Sequence, residues 1–305
     1  MAGKRIAVMG TGASGASIGA DLTRAGLDVT LIEQWPAHVE AMRAKGIRIE
    51  MPEQTLTTPV RAFNVCEAAS LQESFDVVLI VVKAYDTRWA CELIKPLTSP
   101  TGLVVGLQNG MTMDDIASIM GPERTLGAVV EIAANMFEPG IVDRQTPPSG
   151  TWFAIGAYDA TTQGRESEVV EILRHAGKVE ISDDIRSAKW MKLIVNAAEC
   201  LPSAILNLPL REAVETPGIR DVMAAAGVEA TRTALALGQR QRLSRRAGTP
   251  ARFFGVRALG TPAPQSGRAV EVGLPIGQDQ GNHASHDTIP WSSDEAPRHR
   301  DTAPG

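Results

Sequence analysis

Six residues near the N-terminus, Gly10-Thr11-Gly12-Ala13-Ser14-Gly15, have the types and spacing of a turn that holds a diphosphate. They close a short apolar run, residues 5–9, and open a run of small residues that reads as a helix over 14–25. In that setting Gly10 permits the tight turn, Gly12 lets the backbone approach a pyrophosphate, and Gly15 lets the helix pack close to the sheet. The amino end of the helix then offers free N–H groups and a positive dipole end to the phosphates. Glu33 follows 18 residues after Gly15, at the end of the next apolar run. A carboxylate there accepts hydrogen bonds from ribose hydroxyls and repels a 2′-phosphate, which favours NAD over NADP. A solvated glutamate at a strand end is the plainer alternative.

A second set of reactive groups lies far along the chain. Lys192 and Asn196 stand at i, i+4 and share one helix face. Leu193, Ile194 and Val195 between them require part of that helix to be buried. A partly desolvated lysine has a lowered pKa and can give a proton to a carbonyl oxygen as it is reduced, with the asparagine holding the substrate. A snorkelling lysine and a surface asparagine satisfy the same spacing. Lys83 and Asn109 each follow an apolar run, where open α/β sheets bind ligands beyond their strand ends. Each is equally compatible with an ordinary loop or turn.

These groups need elements to position them. Apolar runs at residues 5–9, 28–33, 76–82, 103–108 and 125–133 predict strands, and the run at 76–82 is apolar throughout after Asp76, as in a parallel strand buried on both faces. Helices are expected over 14–25, 38–45, 87–97 and 113–120. The alternation implies an α/β fold with a doubly wound parallel sheet of Rossmann type. From about residue 180 the pattern turns helical, with helices expected over 187–200 and 219–237. The organisation read from the sequence is therefore a dinucleotide-binding domain over 1–180, an all-helical C-terminal substrate domain over 181–240, and a tail over 241–305. That tail holds eight Arg and no Lys, with 7 Pro and 8 Gly. Such a composition is that of a disordered segment, or of one translated out of frame.

Bulk properties narrow the function. With 305 residues and 44% hydrophobic residues the chain can bury a sizeable core. A formal net charge of -5 leaves no basic footprint for nucleic acid. No apolar run is long enough to span a membrane. Cys66, Cys91 and Cys200 are sparse and lack a CxxC pair, which points to reduced thiols in a cytoplasmic protein and to no metal site.

Four motifs together resemble the ketopantoate reductase (2-dehydropantoate 2-reductase) family. They are the glycine turn, Val82-Lys83-Ala84-Tyr85, Gln108-Asn109-Gly110, and Trp190-Met191-Lys192-Leu193-Ile194-Val195-Asn196. The resemblance covers roughly residues 4–240. It implies a cleft between a Rossmann domain and a helical domain, in which NADP(H), the family default, reduces a 2-oxo acid. NAD(H) is the alternative that Glu33 raises. By resemblance Lys192 is the catalytic lysine and Asn196 binds substrate. Asn109 lies between cofactor and substrate, and Lys83 lies near the nicotinamide side. A homodimer is compatible with it. At the position of a second substrate asparagine this chain has Cys200, and the family's C-terminal Ser/Thr-Glu-x-Asp-Tyr motif is not found after residue 240. The alternatives are a hydroxyacid or opine-type dehydrogenase and an NAD(P)-binding protein that has lost catalysis.

Overall fold

The computed structural model describes residues 3–239. The expected tail, 241–305, lies outside the described residues. The chain runs β1 (Arg5–Met9), α1 (Ala13–Arg24), β2 (Asp28–Glu33), α2 (Pro36–Lys45), β3 (Ile47–Met51), β4 (Gln54–Thr58), β5 (Arg61–Asn64), α3 (Val65–Ala68) and β6 (Phe75–Ile80). It continues through α4 (Thr87–Ile94), β7 (Thr98–Gly106), α5 (Met113–Met120), β8 (Thr125–Glu131), β9 (Ala134–Glu138), β10 (Ile141–Arg144), β11 (Trp152–Ala157), α6 (Glu166–Leu173) and β12 (Lys178–Ile181). Three helices close it: α7 (Ile185–Leu206), α8 (Leu210–Ala213) and α9 (Ile219–Ala236).

The large sheet has the order β12-β11-β8-β7-β6-β1-β2-β5. Its central strands β1 and β6 are apolar over most of their length because both faces are covered. Ile6 and Val8 of β1, with Val77 and Leu79 of β6, enter the core shared with α1. Ala7, Met9, Val78 and Ile80 point the other way, onto Ala90 and Ile94 of α4 and Ile116 of α5. This is the period-2 geometry of a strand between two helical layers. From β1 the chain first builds outward through β2 and β5, then returns to lay β6, β7 and β8 on the other side. The reversal between β1 and β6 is a topological switch point, where open sheets of this kind bind ligands.

The α/β Rossmann class stands, with two corrections to the parallel sheet expected from the sequence. First, β11 pairs with β8 antiparallel, so the sheet is mixed. Trp152 to Ala157 are all half-buried or buried, and the run carries no local signal for strand direction. Second, there is another sheet, β4-β3-β10-β9, laid against α1. Its inner pair, β3 and β10, is parallel although the two strands are far apart in sequence. The helical pattern beyond residue 180 is present as α7, α8 and α9. Asp184 caps α7 by accepting from the Ser187 N–H. The helix stops at Asn207, whose φ of 51° is left-handed, a conformation asparagine tolerates. Among the described residues no helix is long and apolar enough to cross a membrane.

Candidate active site

The glycine turn leaves β1 at the switch point. Gly10 has φ +91°, and a Cβ on it would meet Val82 Cγ1 and the Val82 N at 2.7 Å. The start of the Lys83 loop therefore lies directly beside the turn. Gly15 packs so close beneath it that a Cβ would strike the Gly10 carbonyl oxygen. Gly12 differs: it is exposed, its φ of -57° suits any residue, and a Cβ there would meet nothing within 4 Å. No side chain caps the amino end of α1, and no acidic residue occupies its first turn. Open space over Gly12 and an uncapped helix of 12 residues fit the diphosphate of a dinucleotide. Ala13 and Ser14 are half-buried on this first turn. Gly12→Ala is expected to keep its stability within about 0.5 kcal/mol while weakening nicotinamide cofactor binding at least about tenfold. Gly15→Ala is expected to lose about 1–3 kcal/mol from the backbone clash. Urea unfolding together with fluorescence titration of the reduced cofactor separates the two.

Thr11 and Glu33 hold the turn's shape. Glu33 is 8% exposed, and its carboxylate accepts four bonds. These come from the Thr11 N–H at 2.6 Å, the Thr11 hydroxyl at 3.0 Å, and the amides of Gln34 and Trp35 at 2.9 and 3.0 Å. Four donors fill the acceptor capacity of a carboxylate. Glu33 is thus neither a solvated strand end nor, in this geometry, free to accept from ribose hydroxyls; it fixes the turn and leaves a negative charge beneath it.

His38, which the sequence reading passed over, completes the anchor. The Gly140 N–H donates to His38 Nδ1 at 2.8 Å, so Nε2 carries the proton and donates to the Thr11 carbonyl at 2.9 Å. A second proton on Nδ1 would face the Gly140 N–H. Burial lowers the His38 pKa from its usual 6.5, opposed by the Thr11 bond and the Glu33 charge. The unfolded chain then binds more protons than the folded one below that value. His38 stabilises the fold fully above about pH 6.5, and this is lost as pH falls through its lowered folded pKa. A His38→Gln variant is expected to show a shallower loss of stability across pH 7 to 5 than the wild type. Urea midpoints at each pH measure it; parallel curves would exclude the role.

Two more loops gather at the same edge. Lys83 is exposed and precedes a 3-10 turn, Ala84–Asp86. Asn109 is exposed, and the neighbouring Gly110 (φ +85°) lies next to Ala84. Gln108 is buried below them: its amide donates to the Thr87 hydroxyl at 2.7 Å, and its carbonyl accepts from the Thr112 hydroxyl at 3.0 Å. That pairing locks the loop and leaves Asn109 outermost. The carboxyl ends of β1, β6 and β7 thus bring the glycine turn, Lys83 and Asn109 together.

Helix α7 reaches this edge through a residue the sequence reading also missed. Lys189 is 2% exposed, and Nζ donates to the Gln108 carbonyl at 2.8 Å and to the Ala128 carbonyl at 3.0 Å. Burial lowers its pKa to about 8. The strongly desolvated lysine of this helix is therefore Lys189. Lys192 and Asn196 are half-buried one and two turns further on. The Lys192 charge opposes the rise that burial imposes on the Glu199 pKa. The Cys200 thiol lies 3.9 Å from Asn196 Oδ1. The only sequence signal for Lys189 was its i, i+3 spacing from Lys192.

Residues 6–158 match the family model described as ketopantoate reductase PanE/ApbA. The chain is 29% identical over 227 residues to the 2-dehydropantoate 2-reductase of Archaeoglobus fulgidus, covering 74% of this chain and 72% of that one. A crystal structure of a PanE/ApbA family ketopantoate reductase from Ralstonia eutropha is similar with a TM-score of 0.68 and 33% identity. That match covers 77% of this chain and 76% of the other. The 2-dehydropantoate 2-reductase of Geobacter metallireducens gives a TM-score of 0.71 at 27% identity, covering 79% and 78% of the two chains.

Proposed function

Because the chain belongs to the ketopantoate reductase PanE/ApbA family and is an oxidoreductase acting on a CH–OH group, we propose that it reduces the ketone of a 2-oxo acid, of the ketopantoate-to-pantoate type, using a nicotinamide dinucleotide. The observation that supports this best is the meeting of three strand ends with α7. The glycine turn adjoins the Lys83 loop, that loop adjoins Asn109, and α7 is bonded to the Asn109 turn. A reduced nicotinamide, when bound, would supply the hydride for the carbonyl carbon. Lys192, one turn beyond the bonded point of α7, polarises the carbonyl oxygen as an ammonium and gives it a proton, remaining as an amine that water reprotonates. Asn196 orients the substrate from the next turn and Asn109 from the strand edge. Lys83, exposed at the end of β6, would help hold the nicotinamide half of the cofactor. The division of labour follows the chain, with cofactor binding in residues 1–180 and, Asn109 apart, substrate binding in 181–240.

The cofactor is better read as NADH. The Glu33 carboxylate is held under the turn, and the two residues after it, Gln34 and Trp35, bring no cation to neutralise a 2′-phosphate. Cys200, exposed and beside Asn196, favours a 2-oxo acid other than ketopantoate itself, since a thiol hydrogen-bonds more weakly than an amide. Free thiols at Cys66, Cys91 and Cys200 suit a reducing cytoplasm. The test is steady-state reduction of a panel of 2-oxo acids with NADH and with NADPH, followed at the nicotinamide absorbance. Turnover with a higher kcat/KM for NADH is expected. Cofactor binding without turnover of any ketone would leave a binding protein; preference for NADPH would refute the reading of Glu33.

A further inference from the structure

We propose that Lys189 is a positioning residue that ties the turn bearing Asn109 to the helix bearing Lys192 and Asn196, and so keeps the two sides of the substrate site in register. The proposal rests on the assignment of those three residues to substrate handling. Its own ground is geometric. One buried ammonium donates to two backbone carbonyls on two strands: Gln108, just beyond the end of β7, and Ala128 within β8. The first carbonyl belongs to the residue immediately before Asn109. The Gln108 side chain is independently fixed to Thr87 and Thr112, so a bond to its backbone locates the turn firmly.

Helical spacing carries that location to the reacting groups. Residues 189, 192 and 196 stand at i, i+3 and i+7, on one face of α7. At 1.5 Å per residue they lie about 4.5 and 10.5 Å along the axis from the bonded point. A shift of the turn against the helix therefore changes the Asn109-to-Lys192 separation directly. A misplacement of about 1 Å is enough to cost a reaction on the order of a hundredfold.

Packing alone does not explain a lysine here. A Leu or Met would fill the volume without a desolvated charge, and burying a cation with only neutral acceptors is unfavourable. The lowered Lys189 pKa is the sign of that cost. Charge-assisted bonds to the two carbonyls are about twice as strong as neutral ones, which is what a clamp needs.

The test uses Lys189→Met, which keeps the length and removes the donors. We expect kcat/KM for the best 2-oxo acid to fall about 30- to 100-fold, with the cofactor dissociation constant within about threefold of wild type. Amide hydrogen exchange in the cofactor-free protein is expected to quicken at Asn109 and Gly110 and to stay unchanged over Gly10 to Gly15. Lys189→Gln, which retains one amide group as donor, should fall between the two in both readouts. A folded Lys189→Met protein with wild-type kcat/KM and wild-type exchange at Asn109 overturns the proposal. So does unfolding of both variants, which would make Lys189 a stability element only. If the wild type reduces no ketone, the assignment of function fails, while the exchange experiment still decides the clamp.

Discussion

Lys192→Ala is expected to lower the turnover of ketone reduction by about 10²- to 10⁴-fold, the range removed with a general acid, and to leave cofactor affinity within about threefold. The reasons for the split are structural. The proposed cofactor contacts lie on the glycine turn, whose shape depends on Thr11, Glu33 and His38, none of which touches α7 in the hydrogen bonds described. Lys192 sits within α7, where alanine is the best helix former, and its half-buried side chain carries none of the clamp to the strand ends. The fold and the diphosphate seat therefore survive. What would disappear is the group proposed to stabilise the developing alkoxide and protonate it. Single-turnover mixing of enzyme, reduced cofactor and 2-oxo acid gives the chemical step, and a fluorescence titration gives the affinity. If kcat is retained, the proton comes from elsewhere and Lys189, with its pKa near 8, becomes the group to examine. If cofactor affinity falls in proportion to kcat, Lys192 serves binding rather than chemistry.

The largest effect on stability is expected from the ion pair between Arg144 and Asp21. Both side chains are essentially inaccessible, at 0% and 1%. Arg144 Nη1 donates to Asp21 Oδ2 at 2.6 Å, Nε to the Thr146 carbonyl at 2.7 Å, and Nη2 to the Thr151 hydroxyl at 2.9 Å. Arg24 bonds the other Asp21 oxygen. Burial raises the Asp21 pKa, and the Arg144 and Arg24 charges act against that rise. Arg144 ends β10 and Asp21 lies in α1, so this pair fastens the second sheet to the helix that follows the glycine turn. Asp21→Asn leaves a guanidinium buried beside a neutral group and is expected to cost about 3–5 kcal/mol. Arg144→Met, which strands the carboxylate with Arg24 alone, should cost a similar amount. The double change Asp21→Leu with Arg144→Met is expected to cost less than either single change, because two apolar groups of like volume need no compensation. Urea unfolding of the four proteins measures this. Single variants within about 1 kcal/mol of wild type would show that water reaches the pair.

Much of the cofactor half was legible because its signals are local. A glycine turn, the strand before it and the helix after it lie within some twenty residues, and Gly10 and Gly15 answer constraints that the turn itself imposes. Buried central strands announce themselves as unbroken apolar runs, so β1, β2, β6, β7 and β8 were expected close to where they lie. Helix α7 was legible from apolar spacing around Lys192.

The second sheet was not foreseen. Ile47, Ile49 and Met51 of β3 are buried and alternate with polar residues, which was a usable signal, but β9 is largely exposed and offers little. Their pairing depends on β3 and β10, separated by some ninety residues, meeting over α1. The partners of Glu33, His38, Lys189 and Arg144 are likewise tertiary facts: Arg144 reaches Asp21 across 123 positions, and Lys189 reaches Gln108 across 81. Sequence spacing predicted a glycine-rich strand-to-helix turn and a lysine-bearing helix, and both elements are present. Only folding decided which lysine is desolvated, because the rotation of α7 about its axis is set by what it packs against. Only folding turned Glu33 inward too, because the turn brings the Thr11 amide and hydroxyl to it beside the amides of Gln34 and Trp35.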